Sequence, residues 1–424
     1  MIYFNLSALV IGLLIVAVNL PWMLKSKDIR KRFFYILLLL FYFLICGLTA
    51  ALNETEHYLN YFIYYSLFLF GTLYVTRNST LNLPTFRKNG FYQMVIRLSK
   101  PYLVCYTIYK LVPFVYPVFR IWNLIIPPVM DVGASLDGEI GQSGFSAGIE
   151  QVLTIFYLIS LSAYISKPKK LIFIMLFFFY LGFANTGYVS RGGILRLLVQ
   201  IFIIIYINYP RLRRKMLIVS VATVPLLVIF FVWYMYKRLG VDQHLDFMTS
   251  LAKLAEIEFS FSAPFDTIYT GTYADPWSYI QSWLTMPLPG PLRFGSQNYI
   301  VNYEYTADIY GMYATDANYA VMLPGLAIEG AYCMGVKLAF IHAIMFSITV
   351  NLFYNTFLIT PSFYMLSIYW CMNIPMGVIR GGTLTLYSFT NKTFLFVMVL
   401  LYFLYTMTQK PRVTTRHCNE RMEN

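Results

Sequence analysis

The sequence predicts an all-α, polytopic transmembrane bundle of about eleven spans, and three observations predict it. Of 424 residues, 58% are hydrophobic and 12% are charged, whereas a soluble domain carries about 25% charged residues. Runs such as Phe33–Leu52, Leu171–Ala184 and Met216–Tyr236 have almost no polar interruption, and a helix needs about 20 apolar residues to cross the hydrocarbon core. Finally, the cations are clustered between or after these runs, at Lys25–Arg32, Arg77–Lys100, Lys167–Lys170, Arg211–Lys215 and Lys410–Arg421. Cationic loops stay in the cytoplasm. The net charge of +13 is therefore an orientation signal and does not imply a nucleic-acid partner.

With the basic clusters inside, the spans alternate in order. Span one (Ile2–Met23) has no basic start or cleavage site and is expected to be a retained helix. It descends to the Lys25 cluster, and span two (Phe33–Leu52) returns to a short outer loop at Asn53–His57. Span three (Tyr58–Val75) descends to Arg77–Lys100, which is expected to contain no span. Span four (Pro101–Ile126) carries Lys110, Pro113, Pro117 and Arg120, so a kink and a polar side facing protein or water are expected. The Gly- and acid-rich stretch Asp131–Glu150 is expected outside. Spans five (Gln151–Ile165), six (Leu171–Ala184), seven (Gly193–Tyr209) and eight (Met216–Tyr236) follow. After a large loop come span nine (Gly335–Tyr354), span ten (Phe363–Val378) and span eleven (Thr393–Thr408).

This divides the chain into an N-terminal bundle (1–236), a large extracytoplasmic loop (237–317), a C-terminal bundle (318–409) and a cytoplasmic tail (410–424). The stretch Lys237–Asp316 holds four basic and nine acidic residues, the opposite balance to the inner loops. Within it, Asp242–Glu258 has helical apolar spacing suited to the membrane surface. Asp275-Pro276-Trp277 starts another short helix, with Trp277, Ile280 and Trp283 or Leu284 on one side. The five cysteines form no CxxC pair, and four sit in apolar runs as small hydrophobes. No internal repeat is visible, which counts against a transporter built from duplicated halves.

Charges at the rim of the bundle carry the functional signal. Arg191, in Ser190-Arg191-Gly192-Gly193, heads span seven, and Arg380, in Arg380-Gly381-Gly382, ends span ten. Glycine permits close backbone approach, exposed amides at a helix start bind anions, and a guanidinium offers a planar fork to phosphate oxygens. Taken alone, either arginine is better explained by snorkelling to the interface, and it is the intramembrane ionisable residues as a set that point to function. Arg196, Lys237, Arg238 and Arg293 are further cations, Arg293 within the loop. Glu329, in Ile328-Glu329-Gly330, lies among apolar residues just before span nine, with Asp316 upstream. Either carboxylate is a candidate base, and Glu329 equally a candidate for an ion pair joining two helices. His342, inside span nine, fits a helix–helix hydrogen bond. Glu54, Glu56 and His57 are a solvated loop cluster, with metal ligation open on composition alone.

This layout resembles the bacterial O-antigen polymerases (Wzy-type) and, more distantly, the O-antigen ligases. The resemblance rests on Ser190-Arg191-Gly192-Gly193 heading a span, on the large outer loop, and on Ala317-Asn318 followed by Glu329-Gly330 and Gly335. The ligases tend to have a histidine beside the asparagine, where this chain has Ala317, which favours polymerase. The resemblance implies a GT-C-like, metal-independent glycosyltransferase without cofactor, in the bacterial inner membrane and active on its periplasmic face. Its substrates would be undecaprenyl-pyrophosphate-linked oligosaccharides, as donor and acceptor. A polysaccharide chain-length regulator is an implied partner. Arg191, Arg293 and Arg380 would hold the pyrophosphate, and Glu329 or Asp316 would orient or deprotonate the acceptor. A flippase for the same lipid-linked sugar and a membrane O-acyltransferase using His342 are the rival readings.

Overall fold

Apolar stretches with few breakers fold as helices, because in lipid every backbone amide and carbonyl must be satisfied within the segment. The computed structural model describes residues 6–47, 56–115, 144–185, 191–216, 218, 262–271, 273–285, 301–313 and 324–408. Among the described residues all regular structure is helical. The N-terminal helices are α1 (Leu6–Leu24), α2 (Ile29–Tyr42), α3 (Glu56–Val75), α4 (Asn89–Val115), α5 (Gly144–Leu161), α6 (Pro168–Asn185) and α7 (Arg191–Asn208). Three short helices of the loop follow: α8 (Ser262–Tyr269), α9 (Pro276–Thr285) and α10 (Val301–Tyr310). The C-terminal part comprises α11 (Gly325–Phe353), α12 (Tyr364–Gly381), α13 (Leu384–Tyr387) and α14 (Leu395–Thr408).

Among the described residues three helical stretches, Gly325–Leu358, Pro361–Ile379 and Ser388–Thr408, are long and apolar enough to cross a membrane, which marks the chain as a membrane protein. On α14, Val397, Met398, Leu401 and Tyr405 are buried, whereas Phe396, Val399 and Phe403 are exposed. A helix that is apolar on its outer face as well belongs in lipid. Span eight and the Asp242–Glu258 segment lie outside the described residues.

Three helix starts differ from the sequence expectation, one of them that of α11, which begins at Gly325 rather than Gly335. The helix assigned to span four starts at Asn89 rather than Pro101, inside the stretch expected to hold no span. Its first turns are amphipathic: Phe91, Met94, Val95 and Ser99 are buried, while Gln93, Arg97 and Lys100 face out. Mean apolarity misses such a segment, but helical periodicity accounts for it. Likewise α5 begins at Gly144, within the stretch expected as outer loop, and its Glu150 meets Lys110 of α4 at 2.6 Å. That pair is the polar side expected for span four.

The core is built around α11, which packs along α3 and against α12, while α12 packs on α2. The polar contacts fix the helix directions. Tyr61, Tyr65, Leu69 and Leu73 of α3, and Arg77 just beyond it, meet Ala327, His342, Ser347, Asn351 and Asn355 in the same order. The two helices are therefore parallel. Arg30 at the start of α2 meets Ser367 at the start of α12, and Phe34 stacks on Trp370, so these two also run in parallel. Such relative directions agree with the alternation drawn from the basic clusters.

The α3–α11 seam is a polar ladder in an apolar interior. Ser347 Oγ donates to the Leu69 carbonyl (3.0 Å), and Asn351 Nδ2 donates to Leu73 O (3.0 Å) and Thr76 Oγ1 (2.9 Å). Asn355 Nδ2 donates to the carbonyls of Arg77 (3.0 Å) and Ser79 (2.8 Å). Residues 347, 351 and 355 are spaced by four and so share one face. Tyr35 Oη of α2 completes the central rung by donating to Asn351 Oδ1 at 2.6 Å. Interhelical hydrogen bonds in membranes contribute about 0.6 kcal/mol on average. Asn351→Ala removes three contacts and leaves the Tyr35 hydroxyl unpaired, so it should cost about 2–3 kcal/mol, against about 0.6 for Ser347→Ala. Reversible unfolding in mixed micelles measures both, and equal costs would rule out the ladder as the element holding α3 to α11.

Candidate functional site

At the end of α11 opposite the Asn355 rung, the sequence breaks a long apolar helix with glycine. Gly335 adopts φ 69°, ψ 155° inside α11, a conformation open to glycine and strained for other residues. It divides α11 into a lower part and a buried upper turn running from Gly325 to Met334. The freed backbone is taken up from outside the helix. Ala274 N in the loop donates to Tyr332 O (2.9 Å), and Tyr64 Oη donates to Lys337 O (2.7 Å). Broken helices of this kind are tolerated where neighbours re-satisfy the backbone.

The upper turn carries Glu329, which is fully buried. A buried carboxylate requires hydrogen-bond donors. They come from the Arg380-Gly381-Gly382 segment, some fifty residues away in sequence. α12 ends at Gly381, and Gly382 turns the chain with φ 79°, ψ −178°. Thr383 N then donates to Glu329 Oε2 (2.5 Å), and Thr383 Oγ1 donates to Oε1. Thr383 directly precedes α13, so the carboxylate sits at a helix start, where backbone N–H groups and the helix dipole favour an anion. A Cβ on Gly382 would come within 1.9 Å of Glu329 Oε2. Glycine is thus required there twice, for its backbone angle and for space.

Loop helix α9 closes over the same carboxylate. Its cap Asp275 accepts from Trp277 N (3.3 Å) and Ser278 N (3.0 Å). From α9, Tyr279 Oη reaches Thr383 Oγ1 (2.9 Å) and donates to Glu329 Oε1 (3.4 Å). Burial, with Tyr387 and Glu329 nearby, pushes the Tyr279 hydroxyl well above the usual phenol range, so it remains a donor. The buried face of α9 is therefore Tyr279, with Ile280 and Trp283 packed on the core, while Trp277 and Leu284 are exposed. Ile280 and Trp283 share a face as expected, but Trp277 does not join it; Tyr279, whose hydroxyl meets the carboxylate, is buried there instead.

His342 lies below Glu329. Its Nδ1 is 2.8 Å from Tyr65 Oη of α3, the helix–helix hydrogen bond that its position suggested, and its Nε2 is 3.5 Å from Glu329 Oε1. Gly330 makes room for these rings: a Cβ there would come 2.7 Å from Tyr65. Glu329 thus meets a threonine, a tyrosine and a histidine.

The backbone brings the two Arg-Gly-Gly segments to this same end. Arg191 opens α7 and Arg380 stands one residue before the end of α12, and the two helices pack on each other. Phe33, at the start of α2, makes ring contacts with Phe202 and Tyr206 near the other end of α7. Arg191 precedes Phe202 by eleven residues, or roughly 16 Å along the helix, toward the Glu329 end. Arg293, Asp316 and the Ala317-Asn318 pair lie outside the described residues, as do Lys237, Arg238 and Glu54. His57 is exposed and stacks on Tyr269 at 4.3 Å. Thr383 and Tyr279 are site residues that the sequence reading missed, although each lies within a few residues of a motif it singled out.

A double-mutant cycle tests the junction. Glu329→Ala should cost about 2–3 kcal/mol by orphaning the Thr383 donors. Gly382→Ala in the native background should cost more than the roughly 1–2 kcal/mol of a left-handed backbone, because it also collides with the carboxylate. In the Glu329→Ala background the Gly382→Ala cost should fall to that backbone value, and strict additivity in micelle unfolding would refute the contact. Beside this geometry, no family model, curated protein or solved structure matches the chain.

Proposed function

We propose that the chain is a polymerase of lipid-linked glycans: a membrane glycosyltransferase of about eleven spans that resembles the Wzy-type O-antigen polymerases in layout. One observation carries the reading. Arg191 and Arg380, each followed by two glycines, belong to packed helices and stand at one end of them, where Glu329 fixes the turn after Arg380. Two guanidinium groups at such a rim suit a diphosphate, which a lipid-linked sugar donor carries.

In the proposed reaction the acceptor hydroxyl oxygen attacks the anomeric carbon of the donor glycan. The bond from that carbon to the pyrophosphate oxygen breaks, and undecaprenyl pyrophosphate leaves with the bonding pair. The acceptor proton passes to a carboxylate. Arg191, Arg293 and Arg380 hold the diphosphate and stabilise the charge that develops on it, commonly the largest catalytic contribution. Both oxygens of Glu329 already accept from Thr383, which suits it to positioning the Arg380 segment. Asp316 then orients the acceptor and takes its proton. The reaction faces the periplasm of the bacterial inner membrane, and the loop helices cover it.

The burial of His342, with one ring nitrogen taken by Tyr65, favours this reading over acyl transfer from a histidine. The test is the glycan ladder of cells lacking the gene and complemented with variants. Arg191→Ala and Arg380→Ala should each leave a single repeat on the lipid A core at normal membrane levels of protein. A full-length ladder from both would remove these arginines from the mechanism, and a core with no repeat at all would point to ligation instead.

A further inference from the structure

The opposite end of the bundle holds a separate feature. The turn between α1 and α2, the turn after α3 and the turn between α11 and α12 surround an open cavity of about 930 Å³. Lys25, Lys27, Lys31, Arg77 and Arg87 line it, and among the described residues Asp28 is the one acid in its wall. Asp28 is already engaged: it accepts from Arg30 Nη2 (2.8 Å) and Tyr354 Oη (2.9 Å). Burial alone would raise the Asp28 carboxyl, but the hydrogen bonds and charge of Arg30 hold it below its usual value. Among the described residues the cavity wall therefore presents five cations with no free counter-charge.

Lys31 makes this more than a ring of solvated loop residues. It stands just ahead of the span of α2, is 7% exposed, and faces the cavity. Its ammonium donates to Asn355 Oδ1 (2.7 Å) and to the carbonyl of Arg77 and lies over the Tyr35 and Tyr354 rings at 5.5 and 5.7 Å; of its three N–H groups, two have oxygen acceptors among the described residues. Among the described residues no carboxylate lies within ion-pair distance of any of the five cations. Burial lowers the Lys31 ammonium to about 8, and the charge of nearby Asp28 offsets this only in part. Arg77 is held over the Tyr74 ring at 3.9 Å, and Arg87 Nη2 donates to Asn355 O (3.4 Å). Trp22 meets Tyr35 and Tyr74 edge-on at 5.1 and 5.5 Å, giving the rim an aromatic side suited to the headgroup level.

We propose that this cavity binds a phosphate-bearing anion, through Lys31 at its back and Lys25, Lys27, Arg77 and Arg87 around it. The phosphate is either that of an anionic phospholipid headgroup entering from the leaflet or that of a soluble phosphate compound. Basic pockets between transmembrane helices recognise headgroups by this chemistry. The site lies at the other end of α11 from Glu329 and is independent of the transferase reading.

The test is thermal unfolding of the delipidated full chain in a neutral detergent, titrated separately with diphosphatidylglycerol, phosphatidylcholine and inorganic pyrophosphate. Stabilisation by diphosphatidylglycerol alone identifies the headgroup, and stabilisation by pyrophosphate as well identifies the free anion; phosphatidylcholine should do nothing. The exposed residues are changed together as Lys25→Gln, Lys27→Gln and Arg87→Gln. The apparent affinity should fall at least tenfold, with unliganded unfolding unchanged, and by about threefold in each single variant. The remote triple Lys167→Gln, Lys169→Gln and Lys170→Gln should keep native affinity. No response to either anionic probe, or an equal loss in both triples, overturns the proposal.

Discussion

A carboxylate without water needs donors, and in this chain the donors of Glu329 are supplied by the backbone of another helix. The side chain is fully buried in the upper turn of α11, and it is met by Thr383 N and Oγ1 at the start of α13. Burial of such a group unpaired would cost several kcal/mol or more. The local chain path is arranged to avoid this. α12 stops at Gly381, Gly382 turns through φ 79°, and the next N–H points at the carboxylate. The same contact draws in Tyr279 and thereby seats loop helix α9. Remove the carboxylate, and the end of α12, the start of α13 and the loop lose their common point of attachment.

α11 links this junction to the rest of the bundle, and its polar residues divide the work by depth. Near the break at Gly335, His342 reaches Tyr65 and Glu329. Further along, Ser347, Asn351 and Asn355 lock the helix to α3. Asn355 also accepts from Lys31, so the ladder runs directly into the wall of the cationic cavity. Packing alone gives two apolar helices many registers in lipid, where tails are as apolar as leucine. Hydrogen bonds at four-residue spacing allow one. The abundant tyrosines serve the same end: buried Tyr35, Tyr42 and Tyr354 each bring aromatic bulk and a hydroxyl with a partner.

What the sequence discloses depends on the range of the interaction. Long apolar runs need no partner to be recognised, so the helices of spans two, three, six and ten stand close to where hydropathy puts them. Gly335 was legible as a boundary, and the structure has its break in α11 there. The start of α4 at Asn89 was not, because Arg97 and Lys100 conceal a buried stripe from any average of apolarity. At the site, Glu329, Arg380 and Gly382 stood out as rare or flexible residues in an apolar setting. Their meeting was invisible, since more than fifty residues separate Glu329 from Thr383 and no local pattern encodes a contact across them. Thr383 and Tyr279 are common residue types whose importance comes entirely from a neighbour. Asn351 and Asn355 carried a signal, four-residue polar spacing in an apolar helix, that was there to be read.

The junction also bears on how chemistry at this end would be divided. Each oxygen of Glu329 is engaged by Thr383, and Gly382 approaches so closely that no Cβ fits between them. A group that must turn toward a substrate needs slack in its contacts. Glu329 has none, because any rotation would orphan the Thr383 donors and unseat Tyr279 at the same time. Its influence is therefore exerted through geometry: it holds the end of α12, and with it the backbone of Arg380, in fixed relation to the upper turn of α11. In the proposed transferase that leaves proton transfer to another carboxylate. Buried residues at the rim then set where a diphosphate can rest, while the acceptor proton goes to a group other than Glu329.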